Sequence, residues 1–193
     1  MIASHLIFGA YGHWLPNDPR GSWSDYVRNR KLLAFGNATT VKTRESKAHV
    51  SHDVTCRLQA KNRLHNPPVQ FSGLQARAVG RGFAQAVTES GYTVYACAIM
   101  PTHVHIVLEN HKHSPKRIAG HLKGRATQRL SSEDIHPLAD NTSPWSVGSW
   151  AVFLDDDEAV LNAIEYVNAN PVKEGLPPQN WSFVTPYEPL TRD

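Results

Sequence analysis

Residues 92–109 read YTVYACAIMPTHVHIVLE, and the fold turns on this stretch. Tyr92 to Met100 is rich in β-branched and aromatic types, which predicts a strand. Pro101-Thr102 supplies a tight connection, and His103 to Glu109 predicts a second strand, completing a hairpin. Upstream, Ala76, Val79, Phe83 and Val87 recur at helical spacing as far as Ser90-Gly91, so a helix is expected over about 73–90. Downstream, Ser114-Pro115 is a helix start, with serine as N-cap and proline at the first helical position. Ile118, Leu122, Ala126 and Leu130 then form an apolar stripe. Residues 4–11 (SHLIFGAY) predict a first strand and Trp150 to Leu154 a fourth. Asp155 to Asp157 cap a last helix, expected to run to about Ala169 and stop before Pro171. The first six elements are those of a split βαβ arrangement. The expected class is therefore α+β, a ferredoxin-like βαββαβ sandwich on an antiparallel sheet, with one further C-terminal helix. The reading is of a single domain over 1–193. It carries a long irregular insertion at about 12–66, which opens with Pro16, Asn17, Asp18, Pro19 and Gly21 and leaves room for short helices or a binding surface.

Composition narrows the function classes. The chain has 193 residues, 40% hydrophobic and 19% charged, as expected of a water-facing globular protein. Its longest apolar runs, such as Ala96 to Met100, fall far short of the ~20 residues that span a membrane. MIASHLIFGAYGHW lacks a basic start and a long apolar stretch, so no secretory signal is expected. Cys56 and Cys97 are too few for a disulfide framework or a CxxC zinc site, which makes a reducing cytoplasm the expected location. Two values stand out: a net charge of +3 and 11 histidines.

His103-Val104-His105 is the first chemical candidate. Residues two apart on a strand face the same way, so both imidazoles could grip one metal ion while Val104 is buried behind them. At this histidine content about 0.6 HxH triplets arise by chance, so the setting on an apolar strand carries the weight. Hydrogen-bonded structural histidines are the bland alternative. Tyr166 is the second candidate. It lies four residues before Asn170 on the last helix and so shares a face with it, beside an apolar side of Leu161, Ile164 and Val167. Tyr166 could attack a phosphodiester, with a metal polarising the phosphate and Asn170 offering its amide oxygen as a ligand. Packing of Tyr166 and a simple helix stop at Asn170-Pro171 are the alternatives.

MPTHVHIVLE resembles the histidine–hydrophobic–histidine (HUH) signature strand of the single-tyrosine transposases, a group that includes insertion-sequence enzymes and REP-associated tyrosine transposases. YVNANPVKEGL resembles their second motif, in which the nucleophilic tyrosine precedes an Asn-Pro-Val-basic-x-Gly-Leu helix end. FGAYGHWLPNDPRGSW is similar to the first strand and turn of one branch. The three motifs occur in order over about residues 4–176. The resemblance implies a metal-dependent single-stranded DNA endonuclease and strand transferase (a transposase), which recognises hairpin DNA and forms a transient 5′-phosphotyrosine. By position it makes His103 and His105 metal ligands, Tyr166 the nucleophile, and Asn170 the third ligand, a Gln in some relatives. It implies a homodimer, Mg²⁺ or Mn²⁺ as cofactor, and a prokaryotic protein associated with the nucleoid when bound to DNA. Bis-histidine ligation itself suits Mn²⁺ or Zn²⁺ better on ligand softness. His13 departs from the family's turn, which often carries Thr, and the stretch from about 25 to 66 is long.

The charge is polarised. Residues 20–130 hold 18 of the 20 Lys and Arg for a net +13, whereas residues 131–193 sum to −9. On the helix from Ser114, Arg117, His121, Arg125 and Arg129 fall at steps of four. Lys116 and Lys123 add to this stripe, which suggests phosphate contacts. Trp14, with Trp23 and Tyr26, could stack on unpaired bases. Asp155 to Glu158 are expected to cap a helix rather than bind metal. Two other readings are a nucleic-acid-binding regulator that keeps the fold without catalysis, and a histidine-triad hydrolase. The latter lacks a third alternating histidine, since residue 107 is Val.

Overall fold

The computed structural model describes residues 1–13, 15, 18, 30–36 and 51–189. It divides into two compact units, Met1–Ala10 with Gln70–Asp193, and Tyr11–Val69.

The larger unit contains the expected sandwich. Strands β1 (Ala3–Gly9), β2 (Val94–Ile99), β3 (His103–Glu109) and β4 (Trp150–Leu154) form one sheet in the order β2-β3-β1-β4. Every neighbouring pair is antiparallel, as a split βαβ topology requires. Helices α2 (Gly73–Ser90) and α3 (Pro115–Ser132) are the two crossovers, and α4 (Asp157–Lys173) follows β4. Strand alternation sorts the side chains onto two faces. Leu6, Phe8, Val104 and Ile106 take one parity and are buried with Val79 and Phe83 of α2 and with Ile118, Leu122 and Leu130 of α3. Ala3, Ala96, Ala98, Val107 and Leu154 take the other and pack against Val160 and Val167 of α4.

Helices α2 and α3 cross closely at one point. A Cβ on Gly82 would lie 2.6 Å from Ala126 Cα and 2.7 Å from the Arg125 carbonyl oxygen, so only glycine admits the approach. Both helices begin as the sequence predicts. Ser72 and Gln75 form a reciprocal capping box, and Ser114 caps α3 with Pro115 in its first turn.

The last helix corrects two expectations. It runs through Pro171 to Lys173 rather than stopping at Ala169. Pro171 forfeits one backbone bond, but its ring is buried, and the turn it occupies is closed from the C-terminal side. Gly175 adopts φ +73°. Its N–H donates to the Val172 carbonyl at 3.0 Å, and the Leu176 N–H donates to the Pro171 carbonyl at 2.8 Å, a Schellman cap. Leu161 is exposed instead of packed, and Val160 takes its place, because the buried stripe follows Val160, Val167 and Pro171. The acidic block does cap the helix: Asp156 accepts from the Ala159 N–H at 2.7 Å.

The smaller unit occupies the expected insertion. It has a 3-10 turn (Arg30–Phe35) and α1 (Val54–Asn62), with a small core of Leu15, Leu32 and Ala60. His13 is buried there and donates from Nε2 to the Val69 carbonyl at 2.7 Å. Trp14, Trp23 and Tyr26 lie outside the described residues. Among the described residues, no helix is long and apolar enough to cross a membrane.

Candidate active site

The sheet face beneath α4 is apolar except along one line. His103 and His105 share its parity, and their ring centroids lie 4.8 Å apart. The register sets Ile7 opposite His105 and His5 opposite Val107, so His5 sits diagonally beside His105. His5 Nε2 and His105 Nδ1 form a hydrogen bond of 3.0 Å. On the other side, Thr102 Oγ1 bonds His103 Nδ1, also at 3.0 Å. Both Nδ1 atoms are thus engaged, and each ring presents Nε2 as its other nitrogen.

Burial sets the protonation of this line. Removal from water pushes the pKa of His5 down to about 4. The same cause, followed by repulsion from His103 and His5, holds His105 well below the usual histidine range. Both are neutral imidazoles at neutral pH, the form that a metal ligand requires.

Tyr166 stands over this line from α4. Its ring meets His105 edge-on at 5.6 Å and His5 at 5.9 Å. The Lys173 ammonium lies 5.6 Å from the ring centroid. Tyr166 is 47% exposed, so the phenol is packed at its base and reachable from solvent. Asn170, one turn on, has its Nδ2 buried without a hydrogen-bond partner. Amide oxygen and nitrogen are interchangeable by a flip, so an acceptor oxygen fits the same position. Among the described residues no cluster of three or more His, Cys, Asp or Glu is arranged to hold a metal ion. The candidate donors are of another kind, the imidazoles of His103 and His105 on the sheet and the orphaned amide of Asn170 one turn beyond Tyr166 on α4, types that suit a borderline divalent cation.

His5 is the participant that sequence reading missed. A histidine on the otherwise apolar parity of the first strand was the available signal, but its neighbour depends on a register that the sequence does not display.

The basic stripe on α3 is divided. Arg117, His121 and Arg125 line one open pocket of about 580 Å³. Arg125 is held by Glu89 at 2.7 Å. Arg129 pairs with Glu133 at 2.5 Å, and Arg81 binds the same carboxylate. Lys123 turns inward, donating to the Ser146 carbonyl at 2.9 Å and to that of Gly148, with its ammonium 5.1 Å from the Phe8 ring centre.

One solved structure agrees with this architecture. No curated protein matches the chain. A solved structure of a REP-associated tyrosine transposase bound to a REP hairpin is similar over 94% of this chain and 74% of that one, with 12% identity and a TM-score of 0.50, a likeness of fold. A candidate transposase from Deinococcus radiodurans R1 is similar over 86% of this chain and 87% of its own, at 12% identity and a TM-score of 0.42. The model of the IS200-like transposases matches residues 70–170, a span that contains His103, His105, Tyr166 and Asn170. By that match, over more than half of its length, the chain belongs to the IS200-like transposase family.

Proposed function

We propose that the chain is a divalent-metal-dependent endonuclease and strand transferase for single-stranded DNA with hairpins, working through a 5′-phosphotyrosine on Tyr166. The observation that carries this reading is a reachable tyrosine edge-on to two buried, neutral histidines. The solved REP-associated relative is bound to a REP hairpin, which supports hairpin DNA as the substrate.

His103, His105 and Asn170 would hold Mg²⁺ or Mn²⁺, which supplies charge stabilisation at the scissile phosphate when bound. The chain's own residues do the rest. The Tyr166 oxygen attacks phosphorus, forming an O–P bond as the bond to the 3′ oxygen breaks, and the phenol proton passes through solvent to the departing 3′-hydroxyl. A second strand's 3′-hydroxyl reverses the step and releases Tyr166. His5 is a positioning residue: by accepting the Nδ1 proton of His105 it selects the tautomer with a lone pair on Nε2. In this reading the chain is one domain with an insertion. It acts as a homodimer in a prokaryotic cytoplasm and joins the nucleoid through its DNA.

The test is incubation of labelled single-stranded hairpin DNA with protein and Mn²⁺, read on a denaturing gel. A covalent adduct is expected with the wild type and none with Tyr166→Phe. Hairpin binding without any adduct would replace this reading with that of a binding-only regulator. An adduct that persists in Tyr166→Phe would assign the nucleophile elsewhere.

A further inference from the structure

A second group of histidines lies where α2 ends and α3 begins. Tyr92 is its hub: its ring meets His111 at 4.9 Å, His121 at 5.9 Å and His113 at 6.2 Å, each edge-on. The Tyr92 hydroxyl lies 3.2 Å from His121 Nδ1 and 3.4 Å from His113 Nδ1. Tyr92, His113 and His121, together with Glu89, Ser90, Arg117 and Arg125, line the open pocket of about 580 Å³.

The charge around this pocket does not balance. Facing His113 are Glu89 and Ser90 from α2, Tyr92 from the following turn, His111 and Lys112 from its own loop, and Arg117, His121 and Arg125 from α3. Glu89 is the one acid, and it already accepts from Arg125 at 2.7 Å, from His121 at 3.1 Å and from Gln85 at 3.0 Å. Among the described residues no carboxylate pairs with the Arg117 guanidinium. The first turn of α3 also carries no acid, so its N-terminal dipole adds to the positive field.

We propose that this pocket is a phosphate subsite for single-stranded DNA, holding one backbone phosphate between Arg117, His113 and His121. The proposal rests on the reading above that the chain handles DNA. An open pocket of this size is far larger than a phosphate ion and leaves room for the attached sugar, which favours a strand over free phosphate. Arg117 supplies the forked donors suited to phosphate oxygens. Desolvation first, and then the charges of Arg117, His111, Lys112 and His121, depress the His113 pKa below its ordinary value. An incoming phosphate offsets those charges and favours protonation of His113, so binding takes up a proton and tightens as pH falls.

Fluorescence anisotropy of a labelled hairpin with a single-stranded tail, at pH 6, 7 and 8, tests the pocket. Arg117→Gln is expected to weaken binding about tenfold, against about twofold for Lys116→Gln, which removes the same charge from an exposed position on the same helix. His113→Gln is expected to flatten the dependence on pH. Inorganic phosphate should compete only weakly, and an oligoglutamate peptide should not compete. Equal losses in Arg117→Gln and Lys116→Gln would overturn the proposal, leaving only a diffuse field. Displacement by oligoglutamate at matched charge would overturn it in favour of an acidic protein partner. Thermal melting followed by circular dichroism confirms that each variant folds. If the wild type forms the Tyr166 adduct while the pocket variants bind like wild type, only the subsite falls. If the variants lose binding but no adduct ever forms, only the nuclease falls.

Discussion

The chain places histidines in two clusters whose chemistry is opposite. His5 and His105 lie under α4, at 8% and 6% exposure, and burial strips them of charge. His113 and His121 stand at the rim of α3, half-buried among arginines and beside a single carboxylate. The same side chain is a buried neutral ring in one setting and a part-exposed ring beside cations in the other. What differs is access to water and the company of charges. A histidine-rich composition therefore says little until each ring is assigned its environment.

The largest expected effect breaks the buried cluster. His103→Ala with His105→Ala should abolish Mn²⁺-dependent adduct formation, a loss of at least about 100-fold, while hairpin affinity measured without metal is retained. An unchanged adduct rate would show that this cluster is not the metal site. Next, His5→Leu should slow the adduct by about 10- to 100-fold without lowering the melting temperature, because it removes an orienting partner and a buried polar ring together. An unaltered rate at low Mn²⁺ would count against the positioning role. In the exposed cluster, Glu89→Gln should tighten DNA binding several-fold by removing the only carboxylate in the pocket, as read by anisotropy. Weaker binding would mean that Glu89 organises Arg125 and His121 more than it opposes phosphate.

The smallest effect concerns Lys123, a cation in the buried regime. Burial lowers its pKa to about 8 from 10.5. Between these values the unfolded chain binds more protons than the folded one, so stability should rise as pH goes from 8 to 10.5. Thermal melting should show that rise in the wild type and lose it in Lys123→Met. A slope equal in both proteins would assign the pH dependence to other groups.

Much of this was legible in the sequence, for reasons particular to each element. The β2–β3 hairpin announced itself because Pro101-Thr102 separates two apolar runs, and α3 did so because Ser114-Pro115 fits only a helix start. The strand parity of His103 and His105 and the shared face of Tyr166 and Asn170 are consequences of local geometry, so spacing was enough to place them. Other features depend on partners distant in the chain. His5 meets His105 across 100 residues. The basic stripe appeared unopposed from Asn110 to Ser132, yet Glu89 reaches it from α2 and Glu133 from just beyond the helix. Pro171 read as a stop because its cost is local, whereas the burial and the Schellman cap that accommodate it are not.

The contact at Gly82 has a reach beyond its own neighbourhood. Glu89 lies two helical turns along α2 from it, and Arg125 is the residue whose carbonyl it touches on α3. The acid and the cations of the rim pocket therefore belong to different helices, and the bare glycine acts as a caliper between them. Any side chain there would open the jaws, lengthening the Glu89–Arg125 span and resizing a pocket that the substitution never touches.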